Sequence, residues 1–193
     1  MHRPFYFRST FAVCLLLLAA ADVPMFAQDT PTSSKLPLRV TLVLTPEFCA
    51  TRMARGSQTS KFGFEVGKAA CEEFEPTLKE AFASVTTTSE APKTGDIQLI
   101  LIPKFVDVGS TVGMTAFSNR ELDVILQWTV KDLSGTTIWI GTVQGSAKHH
   151  QGNMFTYKKN LKLIVDDAVK DLASQSAIRM SCSAELRKLS QQM

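Results

Sequence analysis

Apolar and polar residues alternate first at Leu38, Val40, Leu42 and Leu44, the two-residue period of a strand. Val43 adds apolar character to the other face, and Thr45-Pro46 closes the run. The period then lengthens. Phe64, Gly67, Cys71, Phe74, Leu78, Phe82 and Val85 recur at steps of three or four and predict one helix, with Ser60 as its N-cap and a kink at Pro76. Residues 86–96 are a turn-rich connection. Ile97 to Val108 is apolar on both sides, as in an interior strand covered on both faces. A third strand, Glu121 to Lys131, sets Leu122, Val124, Leu126, Trp128 and Val130 against Asp123, Gln127 and Thr129. Asp132-Leu133-Ser134-Gly135 is a tight turn into a fourth, Thr136 to Ser146. Leu161, Ile164, Val165, Ala168 and Leu172 form the stripe of a second long helix, where Asp166 and Lys170 are spaced for an ion pair. Ser183 caps a short final helix to about Gln191.

The predicted order is β-α-β-β-β-α. The fold class is α/β: a two-layer sandwich with a mixed four-stranded sheet, both long helices packed on it, and a short C-terminal helix. A helical crossover makes the first two strands parallel, and the next two follow as antiparallel neighbours. Three long loops, 45–61, 109–120 and 146–156, then leave the same end. Binding groups gather on such loops.

Composition bounds the function. The chain has 193 residues, 45% of them hydrophobic, and a net charge of +3. This suits one globular domain, with no basic stripe for nucleic acid. His2, Arg3 and Arg8 precede an eleven-residue apolar run, Phe11 to Ala21, too short for a comfortable bilayer span. Residues 1–27 therefore read as a secretory signal peptide cut after Ala27, with a cut after Ala21 or an uncleaved anchor as alternatives. Cys14 has Val13 before it and four leucines after it, so a lipid anchor at this cysteine is not evident. Residues 28–37 are a flexible leader and 38–193 the single domain. The expected location is the periplasm or the extracellular space.

Candidate chemistry is sparse. Cys49, Cys71 and Cys182 follow the leader. A Cys49–Cys71 disulfide is one pairing among three, and a buried core thiol at Cys71 is the alternative. His149-His150 reads as a surface turn, and no metal or other cofactor is expected. Gly63-x-x-x-Gly67 lacks the partners of a phosphate loop and suits close helix–sheet approach. No nucleophile motif appears. The loops instead carry Arg52, Arg55, Val112, Met114, Phe117, Met154 and Phe155, a set suited to partner binding or, alternatively, to satellite core over the sheet edge.

The exported start, the helix ending Phe82-Ala-Ser-Val85, the "GDIQLIL" strand (Gly95–Leu101), the "ELDVILQWTVKDLSGTTIW" hairpin (Glu121–Trp139) and the "NLKLIVDDAVKDLA" helix (Asn160–Ala173) together resemble the YajG-type lipoproteins. More distantly they resemble the auxiliary lipoproteins of ABC transport systems. The resemblance implies a non-enzymatic accessory protein of the bacterial envelope, without catalytic residues. The expected partner is another envelope protein, with membrane association left open. An alternative is a carrier of a small apolar ligand or lipid, with a cavity lined by Phe64, Phe74, Phe82 and Trp128. A hydrolase comes third; it needs a loop-borne polar cluster with His149 or His150 beside a carboxylate.

Overall fold

The computed structural model describes residues 35–54, 63–112, 119–150 and 157–192. Five strands form one sheet: β1 (Leu36–Val43), β2 (Phe82–Thr88), β3 (Leu99–Val112), β4 (Asn119–Lys131) and β5 (Thr137–His150). The helices are α1 (Pro46–Cys49), α2 (Val66–Ala81), α3 (Tyr157–Ser181) and α4 (Ala184–Gln191). The strand order is β2-β1-β3-β4-β5. β1 pairs in parallel with both β2 and β3, whereas β3, β4 and β5 are antiparallel neighbours. The carboxyl ends of β1, β2, β3 and β5 therefore share one end of the sheet.

The sheet has one strand more than the periodicity predicts. Phe82 and Val85 stay in phase with the helical stripe of α2, but the helix ends at Ala81 and the chain turns extended at Phe82, with φ −122° and ψ 150°. The Thr86-Thr87-Thr88 run explains the change, because β-branched side chains are stiff in a helix and fit an extended pleat. At its start α2 is shorter than predicted. Residues 63–65 are non-helical and Glu65, rather than Ser60, occupies the N-cap position. β3 and β5 also run further than expected, to Val112 and His150, so only 113–118 and 151–156 remain between elements. His149 and His150 thus close a strand instead of forming a turn. Asp166 pairs with Lys162, not with Lys170.

The helices pack on one face of the sheet. Leu122, Val124, Leu126, Trp128 and Val130 of β4 all point into that layer and are fully buried. Trp128 anchors it. Its ring lies 5.2 Å from that of Phe74 on α2. Its Nε1 donates to Ser176 Oγ on α3 at 2.8 Å, and Ser176 in turn donates to the Leu172 carbonyl at 2.7 Å. An apolar body with a satisfied polar tip is what allows a tryptophan to be fully buried. The opposite face carries Lys104, Thr142, Gln144, Ser146 and Lys148, all exposed. At the turn before β5, Gly135 has φ +87°, a left-handed conformation that glycine adopts without strain.

Gly145 sets the distance between β5 and α3. A Cβ there would run into the Ala168 carbonyl and the Leu172 amide, both backbone atoms that side-chain repacking cannot move aside. Gly145→Val should therefore cost about 3 kcal/mol of stability, the upper range of overpacking, read as a lower urea midpoint at unchanged slope.

Candidate functional site

The chain leaves β1 through Thr45-Pro46, and here the sequence specifies a single helical turn. Thr45 Oγ1 accepts the Phe48 amide at 3.1 Å, Pro46 fits the first helical position, and Glu47 stands in the first turn. Hydrogen bonds from the Glu47 amide and Thr45 hold the Glu47 carboxyl below its usual range. The turn presents Phe48, whose ring stacks on Phe105 of β3 at 4.8 Å. That contact covers β3 where β1 no longer pairs with it, since the β1–β3 register ends at Leu42 and Leu101. Pro103, which has no N–H to donate, follows at this newly opened edge.

Cys49 and Cys71 are joined in a disulfide, with Cα atoms 5.7 Å apart and a separation of 22 positions in sequence. It ties α1 to the second turn of α2. Gly67 permits the approach: a Cβ at that position would strike the Phe48 carbonyl and the Thr51 amide. The close contact is therefore with α1 and the segment after it, not with the sheet. Met53 and Phe64 exchange backbone hydrogen bonds across the same segment, at 3.1 and 2.7 Å. Arg52 pairs with Glu65.

Between the N-terminal halves of α2 and α3 lies a groove of about 460 Å³. Phe64, Ala69, Leu161 and Val165 provide its apolar surface, and Lys68, Glu72, Lys162 and Asp166 its charged sides. Gly63, Phe64 and Glu65, just ahead of α2, also line it. Partial desolvation raises the Asp166 carboxyl above its usual range, an effect that Lys162 opposes and Glu72 reinforces. The arrangement suits an apolar group flanked by charge of both signs.

The predicted binding residues meet different fates. Arg52 is at this end and is engaged with Glu65. Val112 is the last residue of β3, paired in register with Arg120. Arg55, Met114, Phe117, Met154 and Phe155 lie outside the described residues. Of the four aromatics expected to line a ligand cavity, Phe74, Phe82 and Trp128 are fully buried and only Phe64 reaches the groove. The groove was missed in the sequence because it depends on how two helices meet. Its legible signals are the apolar stripe positions that line it, Phe64 ahead of α2 and Leu161 and Val165 on α3.

His149 Nε2 lies 2.6 Å from Asp167 Oδ2, so one requirement of the hydrolase reading is met. The nearby hydroxyl does not complete it. Ser146 donates to Asp123 at 2.6 Å, and strand alternation places Ser146 and His149 on opposite faces of β5.

No family model matches the chain, and no curated protein matches it. Among solved structures, a Xanthomonas campestris protein of family DUF330 matches with a TM-score of 0.51 at 8% identity, over 84% of this chain and 93% of that one. A minor lipoprotein from Acinetobacter baumannii matches with a TM-score of 0.51 at 12% identity, over 76% of this chain and 92% of that one. This mixed α/β architecture is thus a fold shared with a DUF330 protein and with a bacterial minor lipoprotein. The likeness is compatible with the YajG-type resemblance and singles out no one family.

Two measurements test this end of the molecule. Replacing both Cys49 and Cys71 by alanine should lower stability by about 3 kcal/mol, the chain-entropy value for a loop of this length. A reductant should then change the melting temperature of the parent alone. Asp166→Asn removes a carboxylate whose raised pKa means that ionisation opposes folding. Its stabilising effect should be full above the folded-state pKa and vanish as pH falls below the unfolded-state value, read from paired melts across that window.

Proposed function

We propose that this chain is an exported, non-catalytic accessory protein of the bacterial envelope. It holds another envelope protein at the end of the sheet where β1, β3 and β5 finish. The groove between α2 and α3 carries this reading. It offers an apolar surface flanked by charged sides, on which a partner's apolar side chain could be seated. Met114, Phe117, Met154 and Phe155, which follow β3 and β5 in the sequence, are the expected further anchors. Arg52, with Glu65, stands at the rim. The disulfide supports an oxidising compartment, as does the signal-like start. The fold shared with a named lipoprotein supports the envelope setting. A carrier of an apolar ligand keeps one favourable observation, Phe64 in the groove.

The test pairs the chain beginning at Gln28 with a triple variant, Met114→Ser, Phe117→Ser and Phe155→Ser, as baits in envelope extract. The parent should retain a specific protein that the variant loses, while both melt within a few degrees of each other. Equal retention would overturn the assignment of these residues, and loss of folding in the variant would assign them to the core.

A further inference from the structure

The outer edge of β5 has no strand partner, because β5 is last in the sheet and pairs with β4 alone. One bond fixes its polarity. The Ser146 amide donates to Asp171 Oδ2 on α3 at 2.9 Å, so it points away from β4. The alternation of an antiparallel ladder then turns the N–H and C=O groups of Ile140, Thr142 and Gln144 outward as well. Asp171 closes the edge at Ser146. Beyond that point it opens into a cavity of about 460 Å³, with Ile125, Thr142 and Gln144 on one side and Gln175, Ile178 and Arg179 of α3 on the other. Among the described residues the two most exposed large hydrophobics are Ile140, at 58%, and Ile178, at 52%. They flank this short stretch, one on the sheet and one on the helix. Arg179 is exposed and makes no ion pair among the described residues.

We propose that this edge binds an extended peptide segment of another protein by strand addition. The segment's backbone pairs with Thr142 and Gln144, an apolar side chain packs on Ile178, and an acidic side chain meets Arg179. Width and charge select this occupant. A single added strand needs only about 4.8 Å beside β5, whereas a second copy would bring its own α3 towards the one that already reaches round the edge at Asp171. The predicted 28–37 leader is shorter than expected, because β1 already begins at Leu36. What precedes it, Gln28 to Ser34, has no apolar side chain but Pro31, which has no N–H to donate. The surface is separate from the groove between α2 and α3, and the proposal stands whether or not that groove holds a partner.

A library of random heptapeptides displayed on phage, selected against the folded chain, tests it. Enriched peptides should alternate apolar with polar residues and carry Asp or Glu. Their synthetic forms should bind at least tenfold more weakly to Thr142→Pro, which deletes an outward N–H that β4 does not use and should leave the melting temperature within a few degrees. Arg179→Glu should exchange the acidic preference for a basic one. If Thr142→Pro fails to fold, Ile178→Asp takes its place with the same expected loss. No enrichment, or equal binding to the variants, would overturn the proposal. A dimer in sedimentation that Thr142→Pro splits would give the edge to a second copy instead.

Discussion

The packing of one apolar sheet face against two helices is the constraint on which the other features rest. β4 supplies the central row, and Trp128 links three elements within it: its own strand, Phe74 of α2 and Ser176 of α3. Full burial of each large side chain in that row is worth roughly 1.5–3 kcal/mol, so the layer tolerates neither a shift of a helix nor a slip of the strand. A one-residue slip would send the whole row to the exposed face. Because α2 and α3 are held there, their N-terminal halves lie side by side and create the groove. Because α3 lies along β5, Asp171 can reach the edge amide of Ser146.

Much of this was legible in the alternation of residues. The β4 row, the turn at Gly135, the parallel pairing of β1 with β3 and the Ser183 cap of α4 all follow from short-range pattern. β2 did not, for a physical reason. Phe82 and Val85 satisfy the helical period that Phe74 and Leu78 establish, so periodicity alone cannot mark the end of α2. The competing signal was the threonine run at 86–88, whose preference for extended backbone decides the matter. The edges of the loops were blurred similarly. Gly109 to Val112 contains little apolar pattern, yet it continues β3 because β4 lies opposite it through Arg120.

The candidate site was less legible, since it is made by juxtaposition. Cys49 and Cys71 are separated by a segment whose path no local rule fixes; the disulfide needs α1 to fold back onto α2, and Gly67 is what lets it do so. Lys68, Glu72, Lys162 and Asp166 are charged positions on two helices distant in sequence. Only the meeting of α2 with α3 turns them into the sides of one groove. The edge of β5 is similarly invisible in sequence, where Asp171 is one more polar residue on a helix.

The place of β1 between its two parallel neighbours, β2 and β3, has a consequence for the order in which the molecule takes shape. The first strand to emerge during synthesis is the one that both parallel neighbours need, yet β2 is more than forty positions away and β3 further still. β3, β4 and β5 can zip together by local hairpins, while β1 must wait, apolar and unpaired, for distant segments to arrive. Non-local parallel pairing is intrinsically slow and leaves apolar strands exposed while it forms, so the long-range capture of β1, rather than the growth of the meander, is the expected slow event in folding.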